Sequence, residues 1–78
     1  MAETLEQKMQ MALREAINAA GGQNAAAKKL NTTQSTVWGW IHQQRKVPAE
    51  RVVDLERACE GRVTRHQLRP DLYDTEAA

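Results

Sequence analysis

The chain has 78 residues, 41% of them apolar and 27% charged, and its eleven Lys/Arg against ten Asp/Glu leave a net charge of +1. A chain this short buries roughly 60% of the surface its unfolded form exposes, which allows one core but no enzyme cleft between two lobes. No stretch nears the about 20 consecutive apolar residues of a membrane span, the N-terminus lacks the basic-then-apolar order of a signal peptide, and the single cysteine, Cys59, makes no internal disulfide or cysteine-rich zinc site, so a cytoplasmic setting is expected.

In chain order, the first predicted element runs from about Thr4 to Ala20. Leu5, Met9, Leu13, Ala16, Ile17 and Ala20 recur there at the three-to-four spacing of one helix face. Thr4 and Gln7 form a capping-box signature, and Gly21-Gly22 supplies the residues that end helices. An Ala-rich second helix follows over Gln23 to Leu30, and Asn31-Thr32 makes a tight turn, since Asn tolerates left-handed backbone. Thr33 or its neighbour caps a third helix over about Gln34 to Gln43, with Val37, Trp40 and Ile41 on one side. A fourth helix starts with Pro48 at its first position and runs through Val52, Leu55 and Cys59 to Gly61. Thr64-Arg65-His66-Gln67 is a second capping box, with Val63 and Leu68 placed as a hydrophobic staple, and Pro70 stops that last turn. The expected fold is all-α, a compact bundle of about five short helices filling residues 1–70, followed by an acidic tail over 71–78 whose end is frayed.

The pair of short helices from Gln23 to His42 has the layout of a helix-turn-helix, in which the second helix enters the DNA major groove. Ala27 falls where the helices cross, Leu30, Val37 and Trp40 face inward, and Asn31 takes the turn. At about 100° per residue, Ser35, Trp38, Gly39 and His42 point away from the core face, with Gln34 at the exposed start. Trp38 and Trp40 cannot share a face, and periodicity puts Trp40 in the core. Gln pairs bidentately with adenine, Ser reaches several base edges and an indole meets a thymine methyl, whereas a merely solvated face more often carries Lys and Glu. Gln34, Ser35, Trp38 and His42 are therefore the candidate base contacts. Gly39 has two readings that stay level: close approach to DNA or a neighbouring helix, and packing between two tryptophans.

Charge is unevenly spread. Residues 1–22 hold two basic and three acidic groups, residues 23–69 nine and four, and residues 70–78 none and three, giving −1, +5 and −3. The near-neutral total conceals a basic middle. Arg45 and Lys46 lie just beyond the third helix, and Gln23, Asn24 and Thr33 lie at helix starts where amides favour anions. These five are the candidate backbone contacts. For Lys28, Lys29, Arg51, Arg57, Arg62, Arg65 and Arg69, a solvated surface with intrahelical pairs serves at least as well.

The run Gln34-Ser35-Thr36-Val37-Trp38-Gly39-Trp40, then Val47-Pro48-Ala49-Glu50-Arg51, then Gly61-Arg62-Val63-Thr64-Arg65-His66-Gln67-Leu68-Arg69-Pro70-Asp71 resembles the small Cro-like and YdaS-like regulators of prophages and bacteria. The likeness covers about residues 5–73. It implies a lambda-repressor-like helix-turn-helix domain that represses transcription at operator DNA, usually as a dimer. It also points to Gln34, Ser35 and Trp38 for base edges and to Gln23 and Thr33 for the backbone. Separately, one recognition helix covers only a few base pairs and two copies about 34 Å apart would read a palindromic operator, so a homodimer is expected at least when DNA-bound. Some YdaS-like proteins are described as antitoxins, but only Leu72 and Tyr73 in the tail offer anchors for a toxin, so the repressor role is preferred and the setting is the nucleoid.

Two other classes remain for comparison. His42, His66 and Cys59 lack zinc-site spacing and no Gly-rich phosphate loop is present, so no enzyme, metal or cofactor is expected. A helical protein-interaction module would use the first helix or the tail. Val63, Leu68, Leu72 and Tyr73 are candidates for a dimer interface, with closure of the small core as their preferred reading.

Overall fold

The computed structural model describes residues 4–73. Five α-helices and no strand occur among them: α1 (Leu5–Ala19), α2 (Gln23–Lys29), α3 (Gln34–Gly39), α4 (Val52–Ala58) and α5 (Arg65–Leu68). A π-helical turn at Trp40–Gln44 continues α3, and a 3-10 turn at Ala49–Arg51 leads into α4. The all-α bundle is as expected, and no helix among the described residues is long and apolar enough to cross a membrane.

Local chemistry sets the helix ends. Thr4 Oγ1 accepts the Gln7 N–H at 3.1 Å while Gln7 Oε1 accepts the Thr4 N–H at 2.8 Å, so two of the first turn's orphan donors are used. Gly21 and Gly22 hold φ of 108° and 102°, and a Cβ on Gly21 would lie 2.9 Å from that of Ala25, so space and backbone both require glycine there. Asn31 takes φ 56°, and Thr32 N–H donates to the Ala27 carbonyl at 2.9 Å to close the turn. Thr33 caps α3, and Thr64 with Gln67 repeats the capping box on α5.

The core lies where α1 crosses the other elements. Leu13, Ile17, Val37, Val47, Val52, Leu55, Val63 and Leu68 are each at most 2% exposed, each contributing about 1.5–3 kcal/mol of burial. Ala26 and Ala27 are buried too, and their small side chains let α2 lie close to its neighbours. Trp40 is 3% exposed and Trp38 43%, dividing the tryptophans as periodicity requires.

Several expectations need correction. Leu5 shares the face of Met9 and Leu13 by spacing but is 49% exposed, because at the first residue of α1 it faces only an open groove shared with His66, Gln67 and Pro70. Pro48 precedes the helical turn instead of occupying its first position, and its ψ of 148° is extended. The fourth helix is a 3-10 turn joined to α4, and it ends at Ala58 because Glu60 and Gly61 turn left-handed. The third helix widens after Gly39 and stops at Arg45, φ 62°. Of the four residues expected to close the core, Val63 and Leu68 do so and Tyr73 packs partly against it, but Leu72 is exposed. Asp71, Leu72 and Tyr73, assigned to the tail, fold back: the N–H groups of Leu72 and Tyr73 both donate to the Arg69 carbonyl at 2.9 Å. The expected fraying at the end of the tail lies outside the described residues.

Candidate nucleic-acid interface

The turn at Asn31 sets α3 across α2 and leaves one side of α3 in solvent. Gln34, Ser35, Thr36, Trp38 and His42 are exposed, while Val37, Trp40 and Ile41 are buried. The exposed side carries amide, hydroxyl and aromatic groups and no formal charge.

Three contacts organise this side. Gln34 Nε2 donates to Gln23 Oε1, joining the first residues of α3 and α2. That bond leaves Gln34 with its own carbonyl oxygen and a second N–H, the donor–acceptor couple that reads an adenine edge. Thr33 Oγ1 accepts the Thr36 N–H at 3.2 Å and meets Thr36 Oγ1 at 2.9 Å, so its hydroxyl is engaged in capping. The indole of Trp38 and the imidazole of His42 lie with centroids 4.5 Å apart and planes inclined by 37°, forming one aromatic ridge a helical turn long.

The edges are polar or basic. Asn24 is exposed beside Gln23, and Arg45 and Lys46 are exposed where the π-helical turn after α3 ends. Gln23 and His42 also line a shallow cleft with Arg14, Ile17, Asn18 and Ile41, which brings two polar residues of α1 against the exposed side of α3. Sequence reasoning missed Arg14 and Asn18. Their one signal is a four-residue spacing on the side of α1 away from its apolar stripe, which is ordinary for a solvated helix face.

Other cations of the basic middle serve the fold. Arg51 Nη1 donates to the Leu30 carbonyl at 2.9 Å and lies 3.9 Å from Asp54, and Lys29 Nζ donates to the Ala58 carbonyl at 3.3 Å. Glu56 accepts the Arg65 backbone N–H at 3.0 Å and two guanidinium bonds at 3.1 and 2.9 Å. The backbone N–H, followed by the Arg65 side chain, holds the Glu56 carboxyl below the ordinary carboxylate range against the opposing effect of burial. Arg51 and Arg65 are thus half-buried tethers between elements, where a solvated surface with intrahelical pairs had been the alternative.

A Cβ on Gly39 would meet Gln43 Oε1 at 3.4 Å, an ordinary contact with a movable side chain. Packing between the tryptophans therefore does not demand glycine.

Similarity to known proteins agrees with this geometry. The family model described as "Bacterial toxin YdaS" matches residues 13–77. A relative from Escherichia coli (strain K12), described as a candidate transcriptional regulator, YdaS, is 38% identical over 65 residues, or 83% of this chain. The aligned part spans 66% of that relative's length, slightly under two thirds. The solved structure of the Cro protein from a candidate prophage element, Xfaso 1, in Xylella fastidiosa strain Ann-1 superposes with a TM-score of 0.76 at 39% identity, covering 82% of this chain and 97% of that one.

Proposed function

This chain belongs to the YdaS family and has a Cro-like fold, and from that premise we propose that it is a sequence-specific DNA-binding repressor that lays α3 in the major groove of a palindromic operator. The observation that carries the reading is the Gln23–Gln34 pair on an exposed, uncharged helix face. It holds Gln34 in place before DNA arrives, so less side-chain freedom is lost on binding. In this reading Gln34, Ser35, Trp38 and His42 meet base edges, and Gln23, Asn24, Thr33, Arg45 and Lys46 meet the sugar-phosphate backbone. Close approach of Gly39 to DNA is the role left to it once packing makes no demand.

One short helix covers only a few base pairs. Two copies with reading helices about 34 Å apart would span successive major-groove faces of a palindrome, so the bound form is a homodimer. With Val63 and Leu68 in the core, exposed Leu72 and partly covered Tyr73 remain of the four candidate interface residues.

Titration of labelled duplexes across a salt series tests the reading. Affinity that falls steeply with salt, on top of a preference for one sequence, is expected. No duplex affinity at low salt would overturn it. That result would favour a protein-interaction module built on the groove between α1 and α5, where Leu5 and Met11 are exposed beside Ala12 and Pro70. The word toxin in the family description adds one arm: growth arrest on expression that persists in Gln34→Ala and Arg45→Ala variants would mark an action that does not pass through DNA.

A further inference from the structure

Arg69 is the one buried charged residue among the described residues, at 8% exposure, and it sits at the far end of the chain from the reading helix. Its guanidinium divides between two partners. Nη1 donates to the Val47 carbonyl at 2.8 Å, and Nε and Nη2 donate to Asp71 Oδ1 and Oδ2 at 2.9 and 2.8 Å, a bidentate fork. The Asp71 carboxyl is held below its ordinary range by this fork first, with Lys46 adding the smallest attraction.

Val47 ends that loop. Its side chain is fully buried and its carbonyl is tied to Arg69, so the backbone after Lys46 is fixed on both sides. At the other end, Gln10 Nε2 of α1 donates to the Ile41 carbonyl at 3.0 Å. Arg45 and Lys46 are therefore slung between two tethers from elements distant in sequence, with the left-handed turn at Arg45 aiming the chain between them.

We propose that Arg69, with Asp71, is a positioning residue for DNA binding: by gripping the Val47 carbonyl it holds the Arg45–Lys46 loop in the place from which both cations meet phosphates. The proposal rests on the DNA-binding reading above. Arg69 itself, enclosed and paired, touches no DNA. A tether has a different signature from both a direct contact and a general support of the fold, because its effect must pass through Arg45 and Lys46.

A double-mutant cycle exposes that dependence. Duplex affinity is measured by fluorescence anisotropy over a salt series for the wild type, Arg69→Met, Arg69→Lys, the Arg45→Ala/Lys46→Ala pair, and the pair combined with each Arg69 substitution. Circular dichroism establishes that each variant is folded at the temperature used. We expect Arg69→Met to weaken specific and random duplexes alike, by roughly fivefold to tenfold, and to lower the salt slope by about one. Arg69→Lys, which keeps the charge and one bond but loses the fork, falls between, and carries the cycle alone if Arg69→Met does not fold. In the Arg45→Ala/Lys46→Ala background, further loss should be less than about twofold, which is the scatter of independent effects, so the larger loss in the wild type is non-additive. The same factor lost in both backgrounds, or unchanged affinity in folded Arg69 variants, overturns the positioning role while leaving DNA binding intact. A wild type that binds no duplex overturns the DNA reading and the positioning role with it.

Discussion

Replacing Asn31 by Ala perturbs the turn that sets α3 across α2 without removing any buried side chain, because Asn31 is exposed. Its φ of 56° is in the left-handed region, where a Cβ crowds the following carbonyl at a cost of about 1–2 kcal/mol, a region Asn tolerates better than Ala. The turn is closed on both sides by backbone bonds, Asn31 N–H to the Lys28 carbonyl at 3.2 Å and Thr32 N–H to the Ala27 carbonyl at 2.9 Å, so it cannot easily relax into another conformation. Asn31→Ala should therefore cost about 1 kcal/mol, which for a domain of this size lowers Tm by about 4–8 °C. Asn31→Gly removes the crowding but gives the unfolded chain more freedom, about 0.5–1 kcal/mol in the opposite sense, so it should stay near wild type. Thermal unfolding followed by circular dichroism at 222 nm checks both. Equal Tm for Asn31→Ala and the wild type, or equal losses for the Ala and Gly variants, would refute left-handed strain as the reason for Asn at this position.

Gly39→Ala should hold or raise Tm, since Ala favours a helix by about 1 kcal/mol and the added Cβ has room, yet it should weaken specific duplex binding if the backbone approaches DNA there. A fall in Tm would restore packing as the glycine's purpose. Gln34→Ala and Trp38→Ala should each reduce the affinity ratio between preferred and random duplexes, by about 1–3 kcal/mol for the bidentate amide, while Arg45→Ala lowers both affinities together; competition binding with the two duplexes measures this, and equal effects on both from all three variants would refute the division of roles. Glu56 and Asp71 have folded pKa values below the unfolded carboxylate value of about 4, so their stabilisation is complete above about pH 5 and drains away as pH falls through the folded values. Glu56→Gln should lose Tm at pH 7 and converge on the wild type near pH 2; parallel Tm curves across that range would show that the Arg65–Glu56 contacts contribute nothing net.

The readable features of this sequence are those whose cause is local. Both capping boxes, the glycine pair after α1, Thr33 as a cap and the left-handed Asn31 are decided within four residues, and all appear in the structure. Helical period alone separated buried Trp40 from exposed Trp38. Features that depend on distant partners were not legible. Leu5 has the spacing of a core residue, but whether another element reaches the start of α1 is not written near it. Nothing local marks where the helix widens into the π-helical turn or why Arg45 is left-handed, and the Ile41 carbonyl within that turn is met by Gln10, 31 residues earlier. Arg69 reads as one more surface cation until Val47, 22 residues away, and Asp71 enclose it. For the candidate interface, spacing indicated Gln34, Ser35, Trp38 and His42 as outward-facing. It could not show that Gln34 is joined to Gln23, that the rings of Trp38 and His42 meet, or that Arg14 and Asn18 lie alongside.

Charge distribution sharpens what binding should look like. A net charge of +1 predicts weak attachment to arbitrary DNA, since nonspecific affinity comes from phosphate neutralisation. Arg51, Arg65 and Arg69 take carboxylate partners within the fold, and the exposed pair Arg45 and Lys46 stands beside an uncharged reading face. Selectivity would then rest on α3 more than on electrostatic attraction.

Selection of bound sequences from a pool of random duplexes, carried out with the full chain at physiological salt, tests the central claim most directly. The expected result is a two-fold symmetric site whose half-sites are centred about 10 base pairs apart and contain an adenine whose enrichment disappears with Gln34→Ala. Recovery of no preferred sequence, or of one unaltered by Gln34→Ala and Trp38→Ala, would contradict it.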